Sequence, residues 1–299
     1  MAATPQSGDS AALDAESMAS SAWNAPQPGA SVLTQAVTPA GVWAAFEAMR
    51  QQGPLVQNIT NYVAMDLSAN VLLAAGASPA MVHAREEAAE FARIAGAVVV
   101  NIGTLSPSWV ESMLDVARVA GERGLPWVLD PVAVGATSYR TKVAAELLTL
   151  APTIVRGNAS EILALAGAAG RGKGVDTTDT SSDAVEAAAD LARQTGGVVA
   201  VTGEVDIVTD GARSAHIAGG DPMMAKVTAM GCAASSVVAA FAAVVDDPLV
   251  ATSAALAVFG LAGQRAAADA PGPGTLRWRM LDELYALDEA RVVAGARIS

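Results

Sequence analysis

One cysteine, Cys232, and two histidines, His83 and His216, are all the thiol and imidazole chemistry that 299 residues offer. A single thiol cannot build an intrachain disulfide framework, so a reducing compartment, the cytoplasm, is the simpler expectation. The histidines are far apart, neither has a partner at metal-ligand spacing, and neither a C-x-x-C pair nor a Ser-His-Asp order is available. Both imidazoles read as structural or surface groups. Positive charge is scarce as well: 18 Lys and Arg stand against 30 Asp and Glu, a formal net charge of -12. Such a chain repels a nucleic-acid backbone and has no surplus of cations to release its counterions, which excludes nucleic acid as an expected partner. A local site of backbone N–H groups, one or two cations and a metal can still hold a nucleotide at close range. No run approaches the roughly 18 consecutive apolar residues of a membrane span. The first thirty residues also lack the basic start and compact apolar stretch of a signal peptide. A G-x-x-x-x-G-K-[ST] phosphate loop is missing too.

What is present is a globular composition, 52% hydrophobic and 16% charged. Residues 1–36, rich in Ala, Ser, Pro, Gly and Gln without periodicity, read as a mobile tail ahead of one domain over 37–299. A helix is expected from about Thr38 to Gly53, where a cap, a proline and a terminal glycine are correctly placed. Beyond it, short valine-rich runs alternate with longer amphipathic stretches, the pattern of a mostly parallel sheet covered by helices. Strands are expected at 79–84, 97–103, 126–132, 153–158 and 198–203, and helices at 107–123, 140–150, 159–167 and 183–195. Residues 205–219 alternate around Asp210-Gly211 as an edge hairpin, and the alanine-rich last third is helical in period.

Ligands of parallel α/β sheets bind beyond the carboxyl ends of the strands, so the residues that follow each apolar run carry the information. Here they include Asp130, Arg156, Asn158, Glu161 and Thr202. Asp130 and Glu161 are hard oxygen ligands suited to Mg²⁺, which takes one or two carboxylates plus water and nucleotide phosphates. Glu161 also fits a helix-capping pattern after Asn158. The stretch 226–245 turns from a small-residue loop into a long helix, aiming unpaired N–H groups of Ala229, Met230, Gly231 and Cys232 at one point, which suits a transferring phosphoryl group; plain packing is the alternative. A thiol in that first turn is expected to be lowered in pKa. Asn58 and Asn61 follow an extended run and are candidate site residues, and Met81 is either core or a polarisable pocket wall.

Taken together, PLVQNITNYVAMDLSANVLLAAGASPAM (54–81), NIGTLS (101–106), LDPVAVGAT (129–137), RGNASEILALAG (156–167), GKGVDTT (172–178), VAVTGEVDIVTDG (199–211) and KVTAMGCA (226–233) resemble the hydroxyethylthiazole kinases of thiamin salvage. The resemblance covers roughly residues 40–285. It implies a ribokinase-like three-layer α/β fold, a homotrimer with sites at subunit contacts, and ATP-dependent phosphorylation of 4-methyl-5-(2-hydroxyethyl)thiazole with Mg²⁺. Carried across, Cys232 is the active-site cysteine, Met81 and Ala229 contact the thiazole, Arg156 and Thr202 contact ATP, and Asp130 and Glu161 surround the metal; Asn58, from its place after the extended run, joins the expected substrate contacts. One position departs: the usual G-T-G-C is Ala229-Met230-Gly231-Cys232, and the added methyl bears on substrate fit. A hydroxymethylpyrimidine kinase, a nicotinamide nucleotide repair lyase of the same fold, or a non-catalytic thiazole or nucleotide sensor are the alternatives.

Overall fold

The computed structural model describes residues 37–170 and 180–299. The expected tail at 1–36 and the motif GKGVDTT at 172–178 lie outside the described residues. Helix α1 (Pro39–Gln52) starts where the Thr38 hydroxyl accepts from the Gly41 N–H and ends at Gly53 in the left-handed region, φ 54°. After it come β1 (Leu55–Ile59), α2 (Met65–Ala75), β2 (Ser78–Ala80), the single turn α3 (Ala88–Phe91), β3 (Ala97–Asn101), α4 (Pro107–Arg123), β4 (Trp127–Asp130) and α5 (Ser138–Leu148). The second half contains β5 (Ile154–Asn158), α6 (Ala159–Ala168), α7 (Thr180–Thr195), β6 (Val198–Thr202), β7 (Val205–Thr209) and β8 (Ser214–Ala218). A 3₁₀ turn (Pro222–Lys226) then leads into α8 (Met230–Ala242), α9 (Pro248–Ala268), α10 (Pro273–Ala286), α11 (Glu289–Gly295) and β9 (Arg297–Ile298).

The nine strands among the described residues join one sheet in the order β2-β1-β3-β4-β5-β6-β7-β8-β9. The first six are parallel and the last three antiparallel. Because both faces are covered, the strand interiors are largely apolar: Val99 faces the core under α1, α2, α8, α9 and α10, whereas Val98 and Val100 face the core under α4 to α7. The three layers are thus α/β/α. Helix α9 has the length and hydropathy to cross a membrane, and 83% of its apolar window is buried within the domain. Its apolarity is that of a core helix.

Helix α4 runs over the expected residues, set by the Ser106 cap, Pro107 in the first turn and a left-handed Gly124. The strand expected at 79–84 leaves the sheet after Ala80, and the Val82 carbonyl accepts instead from the Gln57 amide at 3.0 Å. The 205–219 hairpin forms around Asp210 and Gly211 but is not the sheet edge, because β9 pairs beyond it through Ile217 with Ile298 and Ala218 with Arg297. Strand β1 and helix α2 were not among the elements expected from the sequence.

Candidate active site

The parallel strands bring Asn101, Asp130, Asn158 and Thr202 to one end of the sheet, with Asn101 beside Asp130 and Asn158 beside Thr202 in register. The first turn of α8 rises over this end. Asp130 is 1% exposed. Its Oδ2 accepts from Asn101 Nδ2 at 2.7 Å and from the Ser235 hydroxyl at 2.9 Å. Its Oδ1 is buried and has no partner among the described residues. Burial pushes the carboxyl up to about 6; the charge of Arg156 and the two side-chain bonds oppose the rise, and nearby Glu161 adds to it.

Cys232, in the same first helical turn, accepts at Sγ from Asn61 Nδ2 at 3.4 Å. Asn61 Nδ2 also donates to Asn101 Oδ1 at 2.9 Å, while its Oδ1 takes the N–H groups of Val63 and Ala64 and so closes the turn before α2. The thiol is raised to about 11, first by burial and then by the charge of Asp130, against the Asn61 and Asn101 bonds and Arg156. The sequence expectation of a lowered thiol is therefore reversed: desolvation and a neighbouring carboxylate outweigh the positive end of α8.

Arg156 donates from Nη2 to the Thr202 hydroxyl at 2.7 Å, and that hydroxyl donates to the Gly157 carbonyl at 3.3 Å. The buried Arg156 Nε has no partner among the described residues. A Cβ on Gly231 would lie 2.7 Å from Arg156 Nη1, so a side chain here would make the guanidinium shift from its present place beside α8. The N–H groups of Ala229, Gly231 and Cys232 find no backbone acceptor among the described residues, whereas that of Met230 reaches the Val227 carbonyl at 3.4 Å. The cradle expected from four residues is thus made of three. Ala229 itself is left-handed, φ 63°, a conformation that costs a non-glycine residue on the order of 1 kcal/mol.

Two cavities meet here. One of about 350 Å³ is lined by Asp130, Glu161, Ala229, Gly231 and Cys232. The other, about 900 Å³, extends from Arg156, Thr202 and Gly231 along β6 and β8 to α9. Arg156, Met230 and Gly231 belong to both. Glu161 completes a capping box with Asn158, the N-cap of α6: Oε2 accepts from the Asn158 N–H at 2.9 Å and Oε1 from the Ala133 N–H at 2.8 Å. Among the described residues no three His, Cys, Asp or Glu side chains cluster as a metal cage. The unpartnered Oδ1 of Asp130 nevertheless suits Mg²⁺, which needs only one or two carboxylates beside water and phosphate oxygens.

Two expected residues stand away from this group. Asn58 is fully buried, its amide donating to the Val56 carbonyl at 3.0 Å and accepting from the Ser236 hydroxyl at 2.8 Å. It locks β1 to α8 and presents nothing to a ligand, which corrects its placement among substrate contacts. Met81 follows the edge strand β2 at the same end of the sheet, half-buried, and lines neither cavity. Near it the His83 ring meets Trp109 edge-on at 4.5 Å, and Tyr62 lies 4.7 Å from the same indole. Sequence reasoning had not singled out Asn101, Ser235 or Arg140. Arg140 donates to the carbonyls of Ile102, Gly103 and Val132 and so ties the loops after β3 and β4 together. A polar residue closing an all-valine run was the available signal for Asn101.

A thiol with a pKa near 11 is protonated at neutral pH, so iodoacetamide alkylation of Cys232 is expected to be slow at pH 7.5 and to keep accelerating past pH 9. A plateau near pH 8 would contradict the burial argument. Asp130 gives a second outcome. Its folded pKa exceeds its unfolded one, so its contribution to stability is complete below about pH 4 and is lost as pH rises through 6. Asp130→Asn is therefore expected to raise the melting temperature at pH 7.5, by a free energy on the order of 2–3 kcal/mol, and to change it little at pH 4. An unchanged or lowered melting temperature at pH 7.5 would refute this.

The sequence profile of the hydroxyethylthiazole kinase family matches residues 46–290. A hydroxyethylthiazole kinase from Rhizobium rhizogenes is 57% identical over 252 residues, covering 84% of this chain and 94% of that protein. One from Cereibacter sphaeroides is 57% identical over 253 residues, 85% and 96% of the two chains. Among solved structures, the hydroxyethylthiazole kinase protein of Pyrococcus horikoshii superposes with a TM-score of 0.81 at 41% identity, over 86% of this chain and 98% of that one. A ribokinase-like superfamily protein from Enterococcus faecalis, 11% identical with a TM-score of 0.59 over 85% and 90% of the chains, shares the fold. On this profile match, these identities and this superposition, the chain belongs to the hydroxyethylthiazole kinase family.

Proposed function

We propose that the chain transfers the γ-phosphoryl group of ATP to the primary alcohol of 4-methyl-5-(2-hydroxyethyl)thiazole, with the residues around Asp130 and Cys232 as its machinery. The observation that carries the assignment of the site is the set of unpaired N–H groups at Ala229, Gly231 and Cys232, lying where the two cavities meet and flanked by Arg156 and Asp130. Family membership supplies the reaction: a kinase acting on a thiazole alcohol with ATP as co-substrate.

The alcohol oxygen attacks the γ-phosphorus in line as the bond to the bridging oxygen of ADP breaks. Charge on the transferring group falls on the N–H cradle and on the guanidinium of Arg156, which lines both cavities beside Gly231. Thr202 holds that guanidinium in place. Asp130, with Glu161 beside it, would hold Mg²⁺, which when bound neutralises phosphate charge. A thiol near pKa 11 is a poor base at neutral pH, so Cys232 accepts from Asn61 and turns its S–H to the alcohol, orienting it. Because the transition state is largely dissociative, the alcohol proton leaves late and no strong base is required.

We also infer that the active assembly is a homotrimer with the thiazole end at a subunit contact. Met81 sits half-buried by the edge strand, and Tyr62 and Val63 next to the site are 68% and 55% exposed, an open wall that a second copy would complete. Light scattering behind size exclusion is expected to give three times the chain mass, and a monomer at working concentration would remove this inference.

Purified protein with MgATP is expected to release ADP only when hydroxyethylthiazole is added, giving a phosphorylated thiazole, with hydroxymethylpyrimidine inert. Turnover of the pyrimidine alone would overturn the substrate assignment. Cys232→Ala is expected to lower kcat about tenfold or more, the loss of one orienting contact worth roughly 1.4 kcal/mol, with ATP affinity nearly unchanged. An equal loss of ATP binding would remove Cys232 from the alcohol.

A further inference from the structure

The larger cavity is wider than phosphate binding requires, and its lining draws on a strand beyond the residues that the family profile matches. Residues 46–290 match the family profile, whereas β9 is Arg297–Ile298. That short strand is firmly placed. The Ser299 N–H donates to the His216 carbonyl at 3.0 Å, the His216 N–H donates to the Ser299 carbonyl at 2.8 Å, and half-buried Ile298 packs on the core beside its partner Ile217. Alternation along the strand then turns Arg297 to the opposite face from Ile298, onto the face of its partner Ala218, and both Ala218 and Arg297 line the cavity.

The Arg297 guanidinium has no hydrogen-bond or ion-pair partner among the described residues. Three acids, Glu204, Asp206 and Asp221, share the cavity with only two cations, Arg156 and Arg297. Arg156 stands on β5 at the junction with the smaller cavity. Arg297 stands four strands away in the sheet order, a lateral distance of roughly 19 Å at ordinary strand spacing. Gln264 of α9 lines the same cavity, and neither residue reaches the smaller one. A triphosphate seated on the N–H cradle and Arg156 would direct its nucleoside toward Arg297.

We propose that Arg297 is a nucleotide-affinity residue supplied by the C-terminal strand, donating to an acceptor oxygen or ring nitrogen of the nucleoside part of ATP. A guanidinium has donors only, so it selects acceptors, and Gln264 complements it with one donor and one acceptor edge. The proposal rests on the ATP-dependent reading of the site above. Calorimetric titration with MgATP is expected to show a Kd about three- to tenfold higher for Arg297→Ala than for the unaltered protein, with Arg297→Lys between them. Inhibition by inorganic tripolyphosphate, which lacks a nucleoside, is expected to be the same in all three. A wild-type Kd for ATP in Arg297→Ala, or an equal loss toward tripolyphosphate, would overturn the role of Arg297 while leaving the kinase reading intact. Failure of the unaltered protein to bind ATP would defeat both.

Discussion

A carboxylate with almost no exposure to water sits at the centre of this molecule. Asp130 ends a strand buried on both faces, and its charge is tolerated because the Arg156 guanidinium lies nearby and Asn101 from the neighbouring strand and Ser235 from α8 donate to one oxygen. Through Asn101 the same network reaches Asn61 and then the Cys232 sulfur. The loops after β1 and β3, the end of β4 and the start of α8 are thereby fixed relative to one another. Displacing any one of these groups would leave a buried polar atom unpaired, at a cost of about 1–3 kcal/mol, so this end of the sheet behaves as one unit.

Such a network also explains why the thiol resembles an ordinary nucleophile so little. A cysteine at a helix start usually gains from the dipole, but here burial and Asp130 dominate, and both follow from the fold. Chemistry that needs a positioned alcohol and a stabilised phosphoryl group can accommodate a neutral thiol, whereas chemistry that needs a strong base could not. The protonation state of Cys232 and the dissociative character of phosphoryl transfer are mutually consistent.

Much of the architecture was legible because local signals agreed. Ser106, Pro107 and Gly124 delimit α4 by capping rules alone, and the valine run of β3 reads as a doubly buried strand. Strand β1 was obscured because Gln57 and Asn58 are polar yet fully buried, their amide nitrogens donating to the Val82, Ala88 and Val56 carbonyls and the Asn58 oxygen accepting from Ser236. A hydrophobic pattern cannot anticipate partners that arrive from distant elements. The same limit applied within the site. Asp130, Glu161, Arg156, Thr202 and Cys232 follow from their places at strand and helix ends, but the burial of Asn58, the double engagement of Glu161 and the reversed titration of Cys232 depend on contacts up to 178 residues apart in sequence. Strand β9 is too short to carry a periodic signal of its own.

Alanine, rather than glycine, at the left-handed residue before α8 has a further consequence. Glycine there would sample several backbone regions with little preference, and the N–H vectors of the turn would wander with it. Ala229, held at φ 63° by the surrounding structure, has fewer alternatives once the turn is formed. The cradle therefore stands pre-organised before any anion arrives: conformational entropy that a glycine-headed turn would lose at each binding event has already been lost in folding.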